Sequence, residues 1–441
     1  MRLPILLGLV TALISGCGDD EGAAPVDAPP DRPPPRVIPG GGIGDGPIDG
    51  VANVYVIDDA SRMPISGATV RVGTVDGTTD ASGLFVAEGV TGPQTVIVKA
   101  GAHRSDMWIG ANGTNMTFNL EPATEAVPAA ANLAGTVDLS AITLATNHLK
   151  VAQVIYSQLD DLGDPANEIA TPNDTHVCFV AGAGSCSFTI KTRTGKVALL
   201  AAIYDRDTKG TTPPDDDTST LIGWAVKTGL TVTGGVDQTG ITLTPIDVGM
   251  LGTVTVDFGS PPSGHTTVGA IIGVELGTDG VFQIPLFRTP TEPTLLVPRL
   301  AAFAGSSYRL TAIATTGSTA TSAESIVLRR KLTGTTLAAG TWLAAPTSTM
   351  ATRTSVSWTP VSGATVHSIE YTQGTAALLN VTVFDAATTQ LTVPDLVALP
   401  GGALTADVNA IGAPGLDVNS FMLDDERDKL AMVSSQPVPI N

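Results

Sequence analysis

The stretch that decides the fold is PISGATVRVGTVDGTTDASGLF, residues 64–85. Its β-branched residues are interrupted by a short polar run. In that run Asp80 and Ser82 favour a turn, and Gly83 tolerates the positive φ that such a turn needs. Phe85 then returns the chain to an apolar core. Together with the apolar residues 51–57, this pattern predicts short strands joined by tight turns.

Two phrases in this region, Pro64–Val70 and Thr79–Phe85, resemble the carboxypeptidase regulatory-like family. The family is a small transthyretin-like β-sandwich. The resemblance implies that residues 50–123 form such a sandwich. It also implies an accessory or recognition role without peptidase activity.

The composition extends the β prediction to the rest of the chain. Only 15% of the 441 residues are charged and 43% are hydrophobic, and Gly and Pro are plentiful. Thr and Val are abundant, while long helical runs of Glu, Lys and Leu are missing, which suits many short strands. The sequence predicts an all-β fold of tandem immunoglobulin-like and transthyretin-like β-sandwiches, which follow a signal peptide and a disordered linker.

Composition breaks near residues 123–130, 247 and 345–346 divide the β region into four segments. Each segment is expected to have its own core and to fold alone. We call them the first, second, third and last segments. They are residues 50–123, 130–246, 247–345 and 346–441.

The last segment resembles a fibronectin type III domain. Residues 355–360, Ser-Val-Ser-Trp-Thr-Pro, match the strand that carries the core Trp, and Leu399-Pro400-Gly401 matches the later corner. Leu404 stands where that family has its corner Tyr. The resemblance implies that Trp358, Tyr371 and Val408 share one core. The charged residues 421–433 are expected to form a short helix or an exposed loop.

The first seventeen residues predict export. Arg2 precedes a short apolar run that ends in Leu13-Ile-Ser-Gly-Cys17, as in a secretory signal peptide. The run is too short to span a bilayer comfortably. The ending resembles the lipobox of bacterial lipoproteins, which implies cleavage before Cys17 and lipidation of that residue. The alternative is a plain secretory signal with a chance Cys.

Residues 18–49 are rich in Gly, Pro and Asp and are predicted to be a disordered tether. Gly18 rather than Asp follows Cys17. By resemblance to the sorting rule of bacterial lipoproteins, this favours the outer membrane. The sequence leaves open whether the protein faces the periplasm or the cell surface.

Charge and motifs exclude several functions. The net charge of −19 argues against nucleic acid and anionic lipid headgroups as partners. The sequence has no His-Glu-x-x-His, no Gly-x-Ser-x-Gly and no phosphate loop, and its five His residues are scattered. We therefore expect a protein that is not an enzyme and that has no cofactor, apart from a candidate calcium ion.

The two later cysteines suggest a disulfide bond, and a group of aspartates suggests a metal site. Cys178 and Cys186 are predicted to form a disulfide across a hairpin, because the exported chain meets an oxidising compartment. The alternative, a metal site, lacks Cys-x-x-Cys spacing and nearby His. The Asp residues between positions 205 and 217 could supply oxygen ligands to calcium. The alternative is that they form a solvated acidic loop. The candidate calcium ligands are Asp205, Asp207, Asp215, Asp216 and Asp217.

These observations predict a non-catalytic outer-membrane lipoprotein that acts as a structural or protein-interaction scaffold of the cell envelope. Its partners would be the membrane, through Cys17, and an envelope protein or polysaccharide. The alternative is a polysaccharide- or peptide-binding module that serves a transporter or an enzyme. A cluster of exposed aromatic rings on one face would favour this alternative.

Overall fold

The computed structural model describes residues 33–123, 129–158, 175–182, 184–210, 217–385, 387–422 and 426–440. Their regular secondary structure is almost entirely β-strand, and no helix among them is long and apolar enough to cross a membrane. The strands pair into sheets that enclose apolar cores, so the prediction of an all-β fold of β-sandwiches is confirmed.

The chain forms two compact units. Among the described residues, the terminal unit contains 33–123, the loop Ser318–Ala323 and those from Leu343 onwards. The inserted unit contains Ala126–Gly317 and Glu324–Trp342. The first and last segments therefore belong to one unit, although more than two hundred residues separate them in sequence.

The terminal unit contains sixteen described strands and one 3₁₀ helix, Arg427–Lys429. The strands of its N-terminal part are β1 (Gly42–Gly44), β2 (Asp49–Asp58), β3 (Thr69–Val72), β4 (Val75–Thr78), β5 (Leu84–Thr91), β6 (Gln94–Lys99), β7 (Ser105–Ala111) and β8 (Asn115–Leu120). The strands of its C-terminal part are β23 (Thr347–Ala351), β24 (Ser355–Thr359), β25 (Val366–Gln373), β26 (Ala376–Val383), β27 (Gln390–Thr392), β28 (Leu404–Gly412), β29 (Phe421–Met422) and β30 (Met432–Ile440).

The inserted unit contains fourteen described strands and the 3₁₀ helices Val248–Met250, Gly277–Asp279 and Leu300–Ala302. The second segment supplies β9 (Ala130–Asp138), β10 (His148–Tyr156), β11 (His176–Val180), β12 (Ser185–Arg193), β13 (Gly195–Asp207), β14 (Thr218–Val232) and β15 (Gln238–Pro245). The third segment supplies β16 (Leu251–Asp257), β17 (Thr267–Glu275), β18 (Val281–Gln283), β19 (Thr294–Pro298), β20 (Ser307–Thr315), β21 (Glu324–Leu332) and β22 (Thr336–Ala338).

The turn at Asp80 to Gly83 forms as predicted. The Asp80 carboxylate accepts hydrogen bonds from the backbone N–H groups of Ser82 and Leu84, at 2.8 and 3.0 Å. The Ser82 hydroxyl also donates to this carboxylate, at 2.7 Å, and its bond, ahead of the backbone bonds from Leu84 and Ser82, lowers the pKa of Asp80. Gly83 has a φ of +75°, and a Cβ there would lie 2.6 Å from the Val56 carbonyl oxygen. Only glycine fits this position.

The predicted tether needs correction in its second half. Residues 33–49 are ordered, and Ile38, Ile43 and Ile48 are buried. β1 pairs with β8, and the Asn115 side chain accepts from the Arg36 N–H at 3.2 Å. Three isoleucines therefore fold a stretch that is otherwise Gly/Pro-rich. Residues 18–32 and Cys17 lie outside the described residues.

The last segment has the core that its sequence predicted. Trp358, Tyr371 and Val408 are buried in one cluster between the β23-β24-β27 sheet and the sheet of β25, β26 and β28. Leu404 packs in the same cluster. The corner is held differently from the fibronectin pattern, because Arg353 donates to the Pro400 carbonyl at 3.2 Å.

The cores of the terminal unit cross the predicted boundaries. Ile97 and Met107 of the first segment lie in the core of the last segment. Val366, Phe384 and Phe421 of the last segment lie in the core of the first. The prediction that every segment has a core of its own is therefore corrected for these two. Residues 421–433 match the expectation only in part, because Arg427–Lys429 is a short 3₁₀ helix, whereas Phe421 is a buried strand residue.

The Cys178–Cys186 disulfide is confirmed, with Cα atoms 6.0 Å apart, but it does not cross a hairpin. β11 pairs with β10, whereas β12 pairs with β9. The seven strands follow the order β11-β10-β13-β14-β15-β9-β12, so the disulfide joins the two edge strands of a curled sheet. The sheet curls because both edges flank one apolar core.

Within the inserted unit, polar groups join the second and third segments. The Arg193 guanidinium is buried and donates to the carbonyls of Ser157 at 3.1 Å and Asp279 at 3.3 Å. Gln158 and Val281 exchange two backbone hydrogen bonds of 2.8 Å. The buried Trp224 indole donates to the Leu296 carbonyl at 3.1 Å.

Candidate functional site

The candidate site is the junction where the first and last segments of the terminal unit meet. It begins with the backbone, because β7 and β26 pair in parallel from Ser105 and Leu379 to Ile109 and Val383. This pairing makes one sheet of the order β30-β28-β25-β26-β7-β6-β3-β4 from strands of both segments. Backbone hydrogen bonds thus cross the boundary between them.

Four buried aromatic rings fill the junction. The Trp108 indole stacks on Phe118, with ring centroids 3.8 Å apart, and meets Phe384 edge-on at 5.7 Å. Phe421 lies 6.4 Å from Trp108 and 5.7 Å from Phe384. Trp108 and Phe118 come from the first segment, whereas Phe384 and Phe421 come from the last. Such ring contacts stabilise the fold beyond the burial of apolar area that each ring contributes.

Phe421 reaches this cluster on an excursion of the chain between β28 and β29. We call residues 413–422 the arm. Leu416, Val418 and Phe421 of the arm pack against the core of the first segment. At its tip β29 pairs with β1, where Gly42 faces Met422 and Ile43 faces Phe421. A Cβ on Gly42 would lie 2.1 Å from the Phe421 carbonyl oxygen, so only glycine admits the arm this closely.

Charge also favours this contact. Three of the four Lys and Arg residues of the first segment, Arg71, Lys99 and Arg104, contact acceptors of the last segment. Arg71 lies 3.1 Å from the Asp395 carboxylate, and Lys99 donates to the Leu396 carbonyl at 3.3 Å.

Arg104, the residue before β7, joins the two segments of the junction. It pairs with Glu121 of its own segment and, at 3.3 Å, with Glu370 of the last. Both carboxylates are largely buried. An ion pair of this kind adds little net stability, because the cost of removing both charges from water opposes their attraction. Its main effect is to fix how the two segments align with each other.

Asp106 lies beside this ion pair in the parallel ladder. Its carboxylate accepts from the Asn380 amide at 3.4 Å and from the Met107 N–H at 2.9 Å. Burial raises the pKa of the Asp106 carboxyl to about 7, against smaller lowering effects of the Met107 N–H and of Arg104. The junction therefore contains one carboxyl that changes charge near neutral pH.

The candidate calcium ligands face cations or a His in the described residues. Asp205 contacts His148 at 2.6 Å, Asp207 contacts Lys209, and Asp217 contacts Arg206 at 2.7 Å. The part of the chain that the structure describes holds no group of three or more acidic, His or Cys side chains arranged for a metal. Asp215 and Asp216 lie outside the described residues, so the calcium site stays a prediction.

The histidines take part in structural contacts. His103 and His148 each contact an aspartate, at 2.8 and 2.6 Å. His265 contacts the Pro262 carbonyl at 3.2 Å. The buried His367 accepts from the Val361 N–H at 3.3 Å, and burial lowers its pKa. These four residues lie on different strands and loops, which favours structural roles.

Exposed aromatic rings are rare in the described part of the chain. The large exposed side chains there include two rings, Phe179 and Phe287, both in the inserted unit. The Arg206 guanidinium lies 5.7 Å from the Phe179 ring centre. The clustered aromatics are instead the four buried rings of the junction.

Sequence reasoning missed this junction. Trp108 and Phe421 stand in unremarkable surroundings, and Phe421 precedes a charged run that suggested an exposed loop. Net charge gave no signal of complementarity, because residues 346–441 contain nine acidic residues and three basic ones and residues 50–123 are also net acidic, with seven and four.

Comparisons with known proteins give likenesses among solved structures only. No family model matches the chain, and no curated protein matches it. The Bacillus anthracis TIE protein matches at 12% identity with a TM-score of 0.14, over 60% of this chain. This chain spans 45% of the TIE protein's length.

Two pilin structures match at the same TM-score of 0.14. BcpA, the major pilin subunit of Bacillus cereus, is 8% identical, with 66% of this chain and 98% of BcpA covered. The major pilin SpaD of Corynebacterium diphtheriae is 11% identical, with 66% and 95% covered. The fold assignment rests on the strands and sheets described above.

Proposed function

We propose that this protein is a non-catalytic lipoprotein of the outer membrane that serves as a structural or protein-interaction scaffold of the cell envelope. The observation that carries the proposal is the Leu13–Cys17 ending after a short apolar run. Lipidation of Cys17 with more than one acyl chain would hold the protein firmly on a membrane.

The position of the folded part supports a scaffold close to its membrane. Fifteen residues lie between Cys17 and Pro33, where the described structure begins. Fully extended, they would span at most about 55 Å. The ordered residues 33–49 then connect directly to the core of the terminal unit, so a load on the anchor would reach a folded unit and not a long linker.

The test of this proposal is Cys17→Ser. The variant should leave the membrane fraction or remain unprocessed, as measured by fractionation and by the mass of the mature N-terminus. The matched control is the double variant Cys178→Ser with Cys186→Ser, which removes the other two cysteines and should stay in the membrane. A Cys17→Ser protein that is cleaved normally and fractionates with outer membranes contradicts the proposal.

The partner is best sought with the anchored protein. Affinity capture of the full chain from detergent-solubilised membranes should recover an envelope protein if the scaffold role is correct. Recovery of a polysaccharide in place of a protein would favour a ligand-binding module.

A further inference from the structure

The arm occupies a site at the junction, where the first segment supplies the β1 edge and both segments supply the aromatic pocket. β1 is three residues long and offers its outer edge to β29, which contains two residues. Beside that edge lies the pocket formed by Trp108, Phe118 and Phe384. Addition of a strand to a sheet edge, with side chains in adjacent pockets, is a general mode of peptide recognition.

The arm holds its shape largely by its own bonds. The Leu416 N–H donates to the Ala413 carbonyl at 3.1 Å. The Asn419 N–H donates to the Asp417 carboxylate at 3.0 Å, and the Ser420 N–H donates to the Asp417 carbonyl at 3.1 Å. These turns do not depend on the first segment. The contacts with the first segment are the β29–β1 pairing and the apolar side chains Leu416, Val418 and Phe421.

We infer that the edge of β1 and its aromatic pocket form an interaction surface for the arm of a second copy of this chain. The sequence that fits the surface is that of the arm itself, which fits it within one copy. An exchanged pair has the same contacts as the closed chain, so connectivity and concentration decide between them. The nine Cα–Cα steps from Gly412 to Phe421 reach about 30 Å when extended.

This inference deepens the scaffold role and rests on it in one respect. Chains anchored to one membrane meet at a higher local concentration than chains in solution, and concentration is what favours exchange. Arm exchange would join neighbouring copies and would give the scaffold a partner identical to itself.

The test uses two isotopic forms of the full chain. One form carries a photo-crosslinking amino acid in place of Met422, which is partly exposed and faces Gly42. The other form is uniformly ¹⁵N-labelled and unmodified. After mixing and illumination, mass spectrometry separates crosslinks within one copy from crosslinks between two copies. The control places the same crosslinker at Met63, which is exposed and belongs to another turn of the first segment.

We expect light–heavy crosslinks between position 422 and residues 41–43. Their yield should rise about tenfold for a tenfold rise in concentration below saturation, and should rise again on vesicles that carry the lipidated chain. Phe421→Leu weakens the same contact in the closed and exchanged forms, so the ratio of crosslinks between copies to crosslinks within one copy should stay unchanged while the circular dichroism spectrum stays β-rich.

Crosslinks that stay within one copy at every concentration and on vesicles would overturn the inference. So would a yield between copies equal to that of the Met63 control. Neither result affects membrane attachment, which the Cys17→Ser fractionation measures separately.

Discussion

The terminal unit and the inserted unit each combine two predicted β-segments, but they do so by different means. In the terminal unit, two segments far apart in sequence pair through the backbones of β7 and β26, and each contributes side chains to the core of the other. In the inserted unit, segments adjacent in sequence are joined by polar groups, with the buried Arg193 donating to carbonyls of both.

The difference teaches what each junction tolerates. A junction of shared apolar core and sheet cannot open without exposing both cores, so the two segments should unfold together. A junction of hydrogen bonds to backbone carbonyls depends on a few donors, chiefly Arg193, Trp224 and the paired backbones of Gln158 and Val281. Its failure leaves buried polar groups without partners while each segment keeps its own apolar core.

The largest expected effect comes from the aromatic junction of the terminal unit. Trp108→Ala should lower the free energy of unfolding of that unit by about 3–5 kcal/mol, because it leaves a cavity among Phe118, Phe384 and Phe421. Calorimetry should show a lower unfolding temperature for the terminal unit and an unchanged unfolding temperature for the inserted unit. Trp108→Phe is the control and should lose less. Equal shifts of both transitions would argue against two separate units.

A smaller effect is expected at the polar junction of the inserted unit. Arg193→Met keeps an apolar stem but removes the donors that satisfy the carbonyls of Ser157, Thr194 and Asp279. The cost should be about 3 kcal/mol, confined to the inserted unit, as measured by urea unfolding. Arg193→Lys retains one donor group and should lose less. A Met variant as stable as the parent would show that the junction does not depend on this residue.

The smallest effect is a pH dependence of the terminal unit. The pKa of Asp106 is raised by burial from 3.8 to about 7, so the folded state holds a proton that the unfolded state releases. The stability of the terminal unit should therefore fall as the pH rises from about 4 to about 7, and then level off. Asp106→Asn should remove this slope and stabilise the unit at pH 8, where the parent carboxyl is charged.

Thermal unfolding at pH 5 and pH 8 checks this expectation. The gain from Asp106→Asn should be larger at pH 8. The exposed Asp49→Asn serves as the control and should change neither value. A larger gain at pH 5 would show that Asp106 is stabilising in its charged form, contrary to the burial argument.

Local features of the fold were predictable from the sequence. The turn at Asp80 to Gly83 depends on residues within a few positions of each other, and the core position of Trp358 follows from the strand around it. The Cys178–Cys186 bond was also predictable, since short separation and an even count suffice. Its place between two edge strands was not, because that depends on how the whole sheet curls.

The junction was not predictable for a physical reason. Trp108 and Phe421 are separated by more than three hundred residues, and nothing local shows which ring will meet which. The prediction of disorder for residues 33–49 was wrong for a different reason, because the average composition masked the effect of Ile38, Ile43 and Ile48. Apolar residues spaced through a Gly/Pro-rich run were the signal there.

Native-state hydrogen exchange of the full chain tests the central claim, that the first and last segments form one cooperative unit. The account predicts that the slowest amides of β6 and β7 share one opening free energy with those of β25 and β26. It also predicts that Trp108→Ala lowers all of them together and leaves the slowest amides of β13 unchanged. A first segment whose amides keep their own opening free energy, unmoved when those of β25 and β26 shift, would contradict the account.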